Sequence, residues 1–448
     1  MLAGLFFGLL PPSDLRIPAP GRQEVTAQAV AVRAARVIVR PGEELTNGTI
    51  LIERGVIVSI GQDLRIPEGT RVIEGAVACA GFVDPWSSLG LERESVMDPS
   101  TTPATRTIDA LDPWHDPVER QEALRSGVTA ARVQVGRAAP IAGIGAMVHT
   151  DERTEPAIVL EDACVAGSVG VSRGGRTPDV FDRVAEVDRL IAALDKGRRY
   201  RESQVDYKKE LEDWLKAIAE KLTELEKDFK KAKKDREKDE KEAKEKGKEF
   251  KEKKYKEDKK PRKVRPDPDD EVMARAVDGE IPLVVEVHRA SEIHRLLEKT
   301  RTMDRLRLVI AGGTEALAFA DELVERAIPV IVWPAPMGTP RADEYEDHDP
   351  ALAGELERAG VRVLIGSGGG YDARELRFLA ALAVGHGLGR EAALAAITTV
   401  PAEVFDAADR LGALERGRSG DVLVFDGDPL DSTALLRYVV SRGEVVVQ

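Results

Sequence analysis

The stretch Val77-Ala78-Cys79-Ala80-Gly81-Phe82-Val83-Asp84-Pro85-Trp86-Ser87-Ser88 divides the 448-residue chain into two kinds of pattern. Its apolar run from Val77 to Val83, broken by one glycine and closed by Asp84-Pro85, has the length and punctuation of a buried strand. Upstream, short apolar segments alternate with tight-turn signals. Downstream, strand patterns alternate with helical ones. The stretch stands where a small β-domain gives way to a larger α/β one.

Within residues 27–76 the segments Val30–Val32, Arg36–Val39, Thr49–Ile52 and Val56–Ile60 are separated by Pro41-Gly42, Asn47-Gly48 and Arg54-Gly55, which predicts short antiparallel strands. Downstream, a helical pattern over 111–125 leads to an apolar strand at 127–133. Ile141-Ala142-Gly143-Ile144-Gly145-Ala146 reads as a tightly packed glycine-rich loop. It lacks the lysine and the full spacing of a phosphate or dinucleotide loop. From 282 the order is strand 282–288, helix 290–299, strand 306–311, helix 314–327, strand 329–332, helix 350–359 and strand 361–365. Such spacing predicts parallel strands joined by crossover helices. Two further helices are expected over 373–407.

Charge is unevenly spread. The chain carries a net −13, which excludes general nucleic-acid binding because phosphate neutralisation needs a basic surface. Residues 201–260 hold 22 Lys and Arg against 19 Asp and Glu, and no lysine precedes Lys196. Residues 183–230 read as helical, with Tyr207, Leu211, Trp214, Ile218, Leu222, Leu225 and Phe229 forming a stripe that repeats every 11 residues. Helix 207–229 is therefore a candidate coiled-coil face for a protein partner or a second copy of the chain. From Lys230 to Lys260 the stripe vanishes into a solvated charged arm, which Pro261, Pro266 and Pro268 stop.

Met1–Leu10 is apolar and ends at Pro11-Pro12, too short to span a bilayer. It has the form of an export-signal core without its basic flank. Residues 1–26 are accordingly expected to be an export signal or a disordered segment, giving a protein of the periplasm or cell envelope, or otherwise of the cytoplasm. No other stretch is expected to span a membrane. Cys79 and Cys164 sit in apolar contexts and are expected to be buried, inert thiols.

Several runs together resemble the amidohydrolase superfamily: Asn47-Gly48-Thr49-Ile50, Gly55–Gly61, Ile66-Pro67-Glu68-Gly69, Gly81-Phe82-Val83-Asp84 and, most closely, Leu411–Leu430. The resemblance implies an α/β fold: a TIM-like (β/α)8 barrel over 81–417, a composite β-sandwich from 27–80 plus 418–448, and a charged helical insertion at 200–265. It also implies where chemistry would sit. In active relatives two His on strand 1, a carboxylated Lys or Glu on strand 4, His on strands 5 and 6 and Asp on strand 8 hold a divalent metal that activates water.

Here the strand 1 positions are Trp86 and Ser88, and an indole offers only a donor. Strand 5 keeps His288. The strand 6 run ends at Gly312, and Ser367 and Gly368 stand where strand 8 would carry its Asp. Asp84 or Glu161 could supply a carboxylate, but a zinc site needs about three protein ligands. His115, His149, His294, His348 and His386 have no partner at ligand spacing and read as surface or capping residues. Ser88, Ser172 and Ser367 lack a nucleophile elbow. The expectation is a degenerate metal centre without a cofactor, in a binding or assembly protein whose barrel mouth takes a small molecule. The alternative is a hydrolase of non-peptide C–N bonds, of the cyclic-amide or imidazolone type, with an atypical site for a divalent metal such as zinc.

Overall fold

The computed structural model describes residues 29–447 apart from 113–116, 138, 152–157, 171–178, 247–258, 335–348 and 369–370. The expected export segment, His115, Ser172 and His348 lie outside the described residues. Two sheets organise the rest.

The first sheet has seven strands: β1 (Val30–Arg40), β2 (Glu43–Glu53), β3 (Val56–Gly61), β4 (Arg71–Ala80), β13 (Val422–Phe425), β14 (Leu436–Ser441) and β15 (Glu444–Val447). Their order is β15-β14-β13-β4-β1-β2-β3, so the two ends of the chain share one sheet through the antiparallel β4–β13 pair. Arg54 and Gly55, at φ 51° and 80°, give the β2–β3 turn the positive φ at both central residues that a tight hairpin uses. The expectation of antiparallel strands holds for β1–β2 and β2–β3 but not for β4, which returns to the free edge of β1 and pairs with it in parallel. The sheet curls until Val56 bridges Ser419, enclosing Val32, Ile50, Ile52, Ile73, Val422 and Val424.

Gly81 is the switch between the sheets. Its N–H donates to Asp421 of the first sheet, while Phe82 N–H donates to Gly127 at the foot of the second. A Cβ at Gly81 would stand 2.1 Å from Thr129 Oγ1, so only glycine permits this crossing.

The second sheet runs β5 (Phe82–Ser87), β6 (Val128–Val133), β7 (Gly143–His149), β8 (Ile158–Ser168), β9 (Leu283–Val287), β10 (Leu308–Gly312), β11 (Val330–Val332) and β12 (Val363–Ile365), paired in that order. From β8 to β12 every pair is parallel, as the spacing predicts. β7 is antiparallel to both neighbours. The run 141–146, expected as a loop, supplies the first half of this strand; its glycines are indeed tightly packed, and a Cβ at Gly145 would meet Cys164 Sγ at 2.8 Å. Both cysteines are free and buried, and burial pushes the Cys79 thiol well above its ordinary range. The barrel closes between β5 and β12 through polar contacts: Gly368 N–H donates to Trp86 O at 3.1 Å, and Ser367 reaches Asp84.

The long helix Val180–Lys246 is one element. Its base belongs to the barrel wall: Val187, Leu190 and Leu194 are wholly buried, and Gly197 admits the helix Pro268–Val277. Further out, Tyr207, Leu211, Trp214 and Ile218 are half-buried, while Leu215, Leu222 and Leu225 are exposed. The helix was expected over 183–230 and continues to Lys246. Pro268, read as a stop, opens the next helix at its first turn, and Asp267 caps it by accepting from Asp269 and Asp270 N–H. Among the described residues no helix is long and apolar enough to cross a membrane.

Candidate functional site at the barrel mouth

Strand alternation places Val284, Glu286 and His288 of β9 and its continuation on one face. Val284 joins an interior cluster with Trp86, Ala166, Val309, Ile331, Trp333 and Leu364, which fixes that face as inward. Glu286 and His288 are therefore buried at the mouth, 1% and 4% exposed.

The Glu286 carboxylate accepts from Arg137 Nε and Nη2, both at 2.8 Å, and from Ser168 Oγ at 3.3 Å. Arg137 Nη1 donates to Gly368 O at 3.4 Å. The same guanidinium carbon lies 5.6 Å from the Trp86 ring centroid and 5.8 Å from that of Trp333, within reach of cation–π attraction. The two indoles meet edge to face at 5.6 Å. His288 stacks on Trp333, contacts Thr314 Oγ1 through Nδ1 at 2.8 Å, and places Nε2 3.7 Å from Glu286.

A second charged pair sits beneath the first. Asp84, wholly buried, accepts from Trp86 N–H at 3.0 Å and from Ser367 through both N–H at 3.1 Å and Oγ at 2.5 Å. Burial pushes its carboxyl up to about 6, against the opposing pull of the Ser367 hydroxyl, the two backbone N–H groups and Arg132. Arg132 is itself fully buried. It donates to Pro85 O and Gln134 Oε1, stacks 4.7 Å from Trp86 and 5.3 Å from Phe405, and keeps Nη2 without a hydrogen-bond partner.

Of the residues singled out in the sequence, Asp84, Trp86, His288, Gly312, Ser367 and Gly368 converge here. Ser88 does not: it lies half-buried just past the end of β5, outside this network. Glu161 does not either, because it sits on the solvent-exposed first half of β8, paired with Arg106. His149 is not a surface residue. The reversed direction of β7 carries it to the barrel base, where Nδ1 lies 3.6 Å from Asp421. His294 stacks on Phe319 and His386 is exposed, both away from the mouth. The sequence reading missed Arg132, Arg137, Glu286 and Trp333. A charge inside an apolar strand, as in Val-Val-Glu286-Val-His and Ala-Ala-Arg132-Val, is a usable signal because such residues are seldom fully buried unpaired. Arg137 lies between strands and gives none.

The backbone at Gly312 is packed closely against the His288 and Trp333 rings. A Cβ at Gly312 would stand 2.3 Å from His288 Cε1 and 2.7 Å from the Trp333 ring. Among the described residues no group of three or more His, Cys, Asp or Glu side chains could hold a metal.

Residues 270–447 match the Amidohydrolase family. The match falls in the C-terminal part of the chain, from the helix Pro268–Val277 through the later barrel strands to the return to the first sheet. The chain's structure is similar to that of an amidohydrolase from Thermotoga maritima MSB8, 22% identical, with 94% of this chain and 100% of that chain covered at a TM-score of 0.67. It is also similar to molinate hydrolase (15% identity, 94% and 94% covered, TM-score 0.53) and to A. niger ochratoxinase (14%, 94% and 96%, 0.52). At these identities the likeness is one of fold. No curated protein matches the sequence. The chain thus shares the barrel fold of these structures, with Arg137, Glu286, His288 and two indoles packed into the mouth.

Proposed function

We propose that this chain is a binding or assembly protein of the amidohydrolase superfamily whose barrel does not run metal-dependent hydrolysis. The observation that carries the reading is the commitment of both Glu286 oxygens to Arg137, a cation that the chain itself supplies at the mouth. Asp84 is likewise occupied by three donors, and His288 faces a glycine at 312 that has no space for a larger side chain. Among the described residues, those at the mouth do not fit a catalytic divalent ion, which needs about three protein ligands and an open position. Ser367 offers no substitute chemistry, since its hydroxyl is fully buried and donated to Asp84.

Assembly through the arm is favoured by a separate observation, the exposure of Leu215, Leu222 and Leu225 on a helix that has left the barrel wall. Metal analysis of protein purified without chelator tests the main reading. Little bound zinc, manganese or iron, together with no turnover of cyclic amides or imidazolones, is expected. Near-stoichiometric metal with turnover establishes the hydrolase alternative instead. Removal of residues 200–265 tests the arm, and an unchanged oligomeric state and unchanged partner recovery defeat it.

A further inference from the structure

We propose that the barrel mouth is a guanidinium-binding cage that Arg137 fills in cis, and that an alkylguanidinium is the ligand class it takes when Arg137 is withdrawn. The cage is complementary to a planar, five-donor cation. Glu286 accepts two roughly parallel N–H bonds at 2.8 Å each, the fork arrangement that guanidinium makes and ammonium cannot. Gly368 O takes a third N–H at 3.4 Å, and the Trp86 and Trp333 rings bound the remaining sides. His288 and Ser168 hold the cage from behind, against Glu286 and Trp333.

The cage and its occupant come from different parts of the fold. Glu286, Trp86 and Trp333 stand on or directly after barrel strands β9, β5 and β11, and Glu286 is 1% exposed. Arg137 comes from the connection between β6 and β7, and its side chain is 22% exposed. That connection is tied by Gly136 N–H to Ser95 O and Arg137 N–H to Val96 O, contacts outside the barrel. Arg132 is the contrast: it springs from β6, is wholly buried and has no route out. A group that enters from a loop can be replaced by the same group in solution. The cage is the same whether or not the protein carries a metal elsewhere.

The test uses the full chain with Arg137→Ala, probed with methylguanidinium at about 10 mM, well below denaturing concentrations. The variant is expected to melt below wild type and to regain stability with methylguanidinium, with about tenfold weaker response to methylammonium, which lacks the fork. Wild type should not respond. The double variant Arg137→Ala/Glu286→Gln should lose the rescue. If Arg137→Ala does not fold alone, refolding with and without methylguanidinium gives the same readout as soluble yield. An equal response to both cations, rescue that survives Glu286→Gln, no rescue at all, or stoichiometric zinc uptake by the variant in preference to methylguanidinium overturns the cage.

Discussion

The mouth of the barrel and the arm both consist of basic side chains beside carboxylates, yet they use charge in opposite ways. The arm segment holds 22 basic and 19 acidic residues in 60 positions. At the foot of the same helix, just before the arm, the Arg198–Asp195 pair, at 2.8 Å, is 47% and 35% exposed and screened by water. The mouth holds two cations and two carboxylates, and each carboxylate is almost or entirely buried. Where burial is high, removing one partner strands the other in a poor solvent. Where burial is low, the survivor is simply hydrated. Density of charge is therefore no guide to where electrostatics constrain the molecule.

The largest effect that would sharpen this contrast is expected for Glu286→Ala, which leaves Arg137 facing two indoles without its carboxylate. A loss of about 3–5 kcal/mol in urea unfolding is expected. Asp195→Ala on the helix should cost less than about 0.5 kcal/mol. Equal losses from the two would break the comparison.

Gly312→Ala comes next. Gly312 has φ +82°, and the added Cβ meets the His288 ring at 2.3 Å, so backbone strain and overpacking add to roughly 2–4 kcal/mol. Gly387→Ala is the control, because its φ of +104° carries the strain but no atom lies within 4 Å of the new methyl. Thermal unfolding should rank Gly312→Ala clearly below Gly387→Ala. Identical melting temperatures would mean that the mouth can relax and that a ligand at 312 could be accommodated.

How much of this was legible in the sequence follows from the physics of each part. The strand–helix alternation after 282 was readable, because burial imposes periodicity on every strand. The return of the chain to the first sheet near 422 came only from the resemblance carried by Leu411–Leu430, and the run Val77–Val83, read as one strand, is divided at Gly81 between the two sheets. The reversal of β7 was not readable, since a run such as Ile144-Gly145-Ala146 packs as well in either direction. The parallel pairing of β4 with β1 was hidden for the same reason: alternation reports a face, not a neighbour. At the mouth, Asp84, His288 and Ser367 were found because the family resemblance implies where its metal ligands would stand. Arg137 was not, because a loop arginine looks like a solvated one until the fold aims it inward.

A third expectation concerns pH. Asp84 has its carboxyl raised from 3.8 to about 6, so the folded state holds the proton more tightly than the unfolded chain. Ionised Asp84 thus costs stability above pH 6, and that cost fades as pH falls through 6 toward 3.8. Asp84→Asn cannot ionise. The stability of wild type relative to Asp84→Asn should fall on the order of 1–2 kcal/mol between pH 4.5 and pH 7.5. A pH-independent difference in parallel urea titrations would mean that Arg132 and the Ser367 hydroxyl fully offset the burial.

The smallest effect on stability is expected in the arm, and there the informative quantity is not stability. Leu222 is 58% exposed on a helix that no longer touches the barrel wall, so Leu222→Ser should change unfolding free energy by less than about 0.5 kcal/mol. The same change removes an apolar side chain from the 11-residue stripe. If the stripe is a contact surface, Leu222→Ser combined with Leu225→Ser lowers the oligomeric mass or the partner recovered in sedimentation and pull-down while the melting temperature stays put. If both quantities stay put, the arm is a solvated projection, and its leucines are exposed without a partner. The mouth cannot give such a separation, because there each side chain that could recognise a ligand is also a side chain the fold depends on.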